Sequence, residues 1–119
     1  VITMTQPDNL SEFIVRSDSG QDLVFKGRLL AHASSAPAKP TPRARWTELN
    51  IWETQAHAYV CQVLGCSTFL DEITFSRAEV YENAGGAADM FAKGGHHGWL
   101  AKQLLQAAGL ERYAQLRVA

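Results

Sequence analysis

The sequence contains no uninterrupted apolar run near the ~18 residues that a membrane-spanning helix requires, so no membrane partner is expected. Its opening, Val1-Ile2-Thr3-Met4-Thr5-Gln6-Pro7, has neither the basic nor the long apolar region of a signal peptide, which makes a cytoplasmic location the expectation. Cysteine is scarce: Cys61 and Cys66 are the two present, far short of a disulfide framework, and both read as buried thiols. Their spacing resembles half of a metal site, but there is no second pair to complete a zinc cage. Charge of one sign is missing too. Eleven Lys+Arg against twelve Asp+Glu leave a formal net charge of -1, so no global field draws the chain to nucleic acid or anionic lipid. Internal repeats, a phosphate loop, a dinucleotide fingerprint and a calcium loop are absent, and no cofactor is expected.

What remains is a chain of 119 residues, 46% hydrophobic, enough for one continuous core. A single domain over 1–119 is expected. From Phe13 to Phe75 the pattern mostly alternates and is rich in β-branched and aromatic residues, whereas from Asn83 onward it turns Ala- and Leu-rich with helical spacing. Phe13-Ile14-Val15 and Leu23-Val24-Phe25 flank Ser17-Asp18-Ser19-Gly20, a tight-turn group, so they predict a first hairpin. Its second strand continues through Leu30, with Leu23, Phe25 and Leu29 on one face, Lys26 and Arg28 on the other, and Gly27 marking a bulge or a close approach. Residues 34–45 hold all but one of the four prolines and form a connection without periodicity.

A second hairpin is predicted from Trp46–Thr54 and Tyr59–Leu64, reversing at Gln55-Ala56-His57. Leu49 and Ile51 define its core face; Trp46, Glu48, Asn50 and Trp52 alternate onto the opposite one. Ile73-Thr74-Phe75 starts a fifth strand extending toward Val80. Asn83 caps a helix through Met90 and Phe91 that Gly94 ends, and Trp99, Leu100, Gln103, Leu104, Ala107 and Ala108 trace a second helix closed by Gly109. The tail from Glu111 fits either a last helical turn or a short strand. The expected fold is α+β, a mainly antiparallel sheet of about five strands with two C-terminal helices packed on one face.

Three surfaces offer chemistry. Gly94-Gly95-His96-His97-Gly98 places two imidazoles in a glycine-rich hinge; with Glu72 they would supply the polar groups of a pocket between sheet and helices, in a small enzyme or ligand-binding protein. A catalytic zinc needs about three protein ligands, and nothing in the spacing demands that His32, Glu72 or Cys66 complete the set. Acyl transfer through Ser34, Ser35 or Cys66 lacks a nucleophile elbow. Lys39, Arg43 and Arg45 lead into Trp46, a pattern that suits single-stranded nucleic acid locally, though the balanced charge disfavours it. A face carrying Trp46, Trp52 and Tyr59 would instead expose aromatic area of the kind that mediates protein association.

The stretch Arg45-Trp46-Thr47-Glu48-Leu49-Asn50-Ile51-Trp52-Glu53-Thr54, followed by Tyr59-Val60 and Gly65-Cys66-Ser67, resembles uncharacterised small bacterial proteins of plasmids and other mobile DNA. The resemblance covers the central third and implies no activity, catalytic residue or cofactor. It implies an accessory gene product that acts by binding something in the host or on the element. The leading expectation is a non-enzymatic interaction or adaptor module that self-associates as a homodimer, with a protein partner ahead of nucleic acid.

Overall fold

A computed structural model of the protein describes residues 10–39, 41, 44–68, 72–93, 98–114 and 118. Five strands come first: β1 (Ser11–Val15), β2 (Leu23–Ser34), β3 (Arg45–Thr54), β4 (Tyr59–Ser67) and β5 (Glu72–Tyr81). Two helices follow, α1 (Ala84–Lys93) and α2 (Gly98–Ala107), then a 3-10 turn at Glu111–Ala114, which resolves that part of the tail as helical. Every neighbouring pair is antiparallel, as expected, and the sheet order, which the sequence leaves open, is β1-β2-β3-β4-β5. At the β3–β4 reversal Thr54 Oγ1 accepts the Ala58 N–H at 3.0 Å, and His57 takes a φ of 66°.

One face of the sheet meets the helices. Leu49, Ile51, Cys61 and Val63 from β3 and β4 pack with Met90 and Phe91 of α1 and with Leu100 and Leu104 of α2, all buried. Burying such side chains is worth roughly 1.5–3 kcal/mol each, which is what holds two ten-residue helices too short to persist alone. Both ends read from sequence form as expected: Asn83 Oδ1 accepts the Gly86 N–H at 2.8 Å, and Gly109 takes a φ of 77° while the Leu110 N–H reaches the Leu105 carbonyl at 2.8 Å. Gly94 lies outside the described residues.

The opposite face is covered by the chain itself. A register shift between Leu29 and Ala31 interrupts β2, and the β1–β2 ribbon curls back across the sheet. Its turn reaches β5, where Ser76 Oγ donates to the Arg16 carbonyl at 2.6 Å and Asp18 exchanges two backbone-directed bonds with Ser76, each 2.9 Å. The Arg16 guanidinium beside Asp18, joined by the Ser76 N–H, holds the Asp18 carboxyl below its ordinary value. Inside the curl lies a second core of Val15, Trp52, Val60 and Ala78, flanked by Phe13, Leu23 and Phe25.

Gly27 marks a close approach and not the bulge. A Cβ there would sit 2.3 Å from the Glu53 carbonyl oxygen and 3.0 Å from Thr54 Cα, so the strands rather than a rotamer would have to move. Gly27→Ala is expected to cost about 1–2 kcal/mol in urea denaturation; an unchanged midpoint would show that β2 and β3 separate freely at that end.

Candidate functional site

A cleft of about 530 Å³ opens on the helix-bearing side of the sheet, beyond the start of α2. Thr47 and Gly65, partners across β3 and β4, form its floor. The Phe75 ring lies over Gly65, where an added Cβ would come within 2.3 Å of it; only a glycine lets the ring settle there. Trp99, in the first turn of α2, provides another aromatic wall, while Arg45 and Trp46 border the opening from the start of β3. Phe75 remains 45% exposed and Trp99 57% exposed, so two large rings face solvent in one concavity.

A row of polar side chains crosses the other face. Trp46 Nε1 donates to Glu48 at 2.8 Å, and Glu48 lies 3.9 Å from His32. His32 Nδ1 and Asn50 Oδ1 are 2.7 Å apart; Asn50 then donates to Gln62 at 3.1 Å, and Gln62 to Ser76 at 3.0 Å. Ser76 completes the row at the Arg16 carbonyl. Gln62 and Ser76 are buried, and buried polar groups cost little only when paired, so the row pins the curl to β4 and β5.

Neither thiol is a ready nucleophile. Burial pushes the Cys61 thiol up to about 12, with the nearby Glu79 charge adding to it; burial and then Glu48 raise Cys66 as well. Both therefore stay protonated at neutral pH, and the alternation of β4 directs them to opposite faces. Among the described residues, no group of three or more His, Cys, Asp or Glu side chains is placed to hold a metal ion.

The residues singled out in the sequence do not meet at one place. Arg45 and Trp46 come together at the cleft. Trp52 is turned into the second core, 7% exposed, because the β1–β2 ribbon covers the face on which alternation had placed it. Tyr59 pairs with Glu53 and packs against the helix-side core, so the expected common face of Trp46, Trp52 and Tyr59 does not form. Glu72 opens β5 opposite Ser67, and Arg43, His96 and His97 lie outside the described residues. Sequence reasoning missed the role of Phe75 and Trp99. Helical spacing places Trp99 in the second helix without assigning it a role, and the residues that α2 buries are Leu100, Ala101, Leu104 and Leu105. The available signal was Gly65 within a strand, which marks a position where another group approaches closely.

No helix among the described residues is long and apolar enough to cross a membrane. Family models, curated proteins and solved structures yield no match to this chain.

Proposed function

We propose that the chain is a non-enzymatic interaction module that works as a homodimer, an accessory product of a mobile element. The observation that carries this reading is the outer face of the β1–β2 ribbon. Ile14 of β1 and Val24 of β2 are cross-strand partners there, 71% and 62% exposed, and the outer edge of β1 pairs with no strand among the described residues. An aliphatic pair in water beside an open edge is a site for strand addition. Antiparallel pairing of β1 with its copy in a second chain would satisfy the edge and bring the two Ile14/Val24 pairs side by side, a self-complementary contact of the kind that closes at a dimer.

Light scattering across a range of concentrations tests this. A dimer is expected, reduced to a monomer in the Ile14→Lys/Val24→Lys variant, since lysine on an edge strand opposes pairing. Both side chains are exposed, so circular dichroism is expected to be unchanged. A monomeric parent protein, or a dimer that both lysines leave intact, would refute this interface.

A further inference from the structure

The cleft beyond α2 is separate from the ribbon, and its chemistry narrows what it accepts. Ser35 Oγ is committed to its own chain, donating to the Thr47 carbonyl at 3.3 Å and accepting the Thr47 N–H at 2.9 Å, and the Trp46 N–H is held by Glu48. Among the described residues the cleft presents ring surface from Phe75 and Trp99, the hydroxyl-bearing Thr47 and Thr74, and one cation, Arg45. Arg16, Arg28 and Arg77 each hold a carboxylate within 2.7–3.1 Å, and Arg112 lies over the Tyr113 ring. Arg45, at the mouth of the cleft, has no acidic or aromatic partner among the described residues.

A guanidinium beside exposed rings recognises a carboxylate or phosphate next to an apolar group. A polyanion is the poorer fit, because nucleic-acid binding gains affinity from many cations along a track, whereas among the described residues Arg45 is the one cation placed here, on a chain of net charge -1.

We infer that the cleft captures an extended protein segment in which a large apolar side chain stands next to an acidic one. The apolar group lies between Phe75 and Trp99, and the carboxylate meets Arg45. This rests on the reading of the chain as an interaction module but not on its dimer interface.

The test uses a random dodecapeptide display library selected on the immobilised full chain, followed by calorimetry with synthetic copies of the enriched peptides. Enrichment of Asp or Glu beside aromatic or large aliphatic residues is expected. Affinity is expected to fall by about tenfold or more in Arg45→Gln and in Trp99→Ala, as it does when interface anchors are truncated. On the unaltered protein, replacing the peptide's acidic residue by its amide is expected to reproduce the Arg45→Gln loss, independently of any effect on folding. Enriched peptides that are neutral or basic yet still lost in Trp99→Ala would overturn the acidic occupant and leave the cleft as a docking surface. Preferential binding of oligo-dT or AMP at the cleft would overturn the peptide assignment in favour of a nucleotide. Peptides insensitive to both protein variants, or no enrichment at all, would remove the cleft as a binding site, while the light-scattering result would stand separately.

Discussion

Trp52→Ala is expected to cost about 3–5 kcal/mol of stability, the range for deleting a buried large aromatic. Trp52 sits between two rings, with centroids 5.8 Å from Phe13 and 5.9 Å from Phe25, and those rings stack on each other at 5.6 Å. Removing the indole would take away two of three ring contacts and leave a cavity where the curled ribbon meets β3. Because Phe13 and Phe25 belong to that ribbon, its closure against Ser76 is expected to loosen together with the core. Hydrogen exchange should report this as faster exchange at Asp18 and Ser76, whose amides form the tie. The buried Trp52 N–H finds no acceptor among the described residues, so Trp52→Phe removes an unsatisfied donor while keeping a ring. That variant is expected to cost less than about 1.5 kcal/mol. Equal losses for alanine and phenylalanine in urea denaturation would show that the aromatic packing is not what stabilises the curl.

Alkali is expected to destabilise the protein through a buried thiol. Cys61 lies in the helix-side core with its thiol raised from 9.0 to about 12, chiefly by burial. A thiol whose folded value is raised stays protonated in the folded chain while it ionises in the unfolded one. The unfolded state then binds fewer protons, so stability is fully present below pH 9.0 and falls as pH rises toward about 12. Between those limits each pH unit removes about 1.4 kcal/mol, so a loss of roughly 2–3 kcal/mol is expected by about pH 11. Tyr81, also raised to about 12 by burial and by the hydroxyl's bond to Glu79, adds to the slope above its ordinary 10.0. Cys61→Val keeps an apolar side chain, one heavy atom larger, and removes the titration. Urea midpoints for the two proteins are expected to lie close together at neutral pH and to diverge above pH 9.0, with valine the more stable. Parallel pH profiles would place the alkaline sensitivity elsewhere.

Much of the architecture was legible because it is written in local chemistry. Alternation in 46–54 and 59–64, the Asp18-Ser19-Gly20 turn, the Asn83 cap and the Gly109 ending each act within a few residues, where backbone sterics and nearby hydrogen bonds decide. Alternation also divided Leu49 and Ile51 from Trp46 and Trp52, and that division holds in the sheet. It does not say what will cover either face. Trp52 is a core residue and not a docking residue because a ribbon more than 20 positions upstream folds over it. Phe75 and Trp99 form one cleft because Gly65 lets a ring settle on the sheet where α2 begins, and Arg45 borders that cleft without a carboxylate partner among the described residues, the acidic side chains of β3 being engaged elsewhere, Glu48 with Trp46 and Glu53 with Arg28. The sequence by itself determined the strands, the turns, the cap of α1, the ending of α2 and the α+β class, all of which follow from periodicity and local backbone preference. The tertiary structure alone decided which aromatic rings are core and which are surface, because burial depends on contacts between residues far apart along the chain.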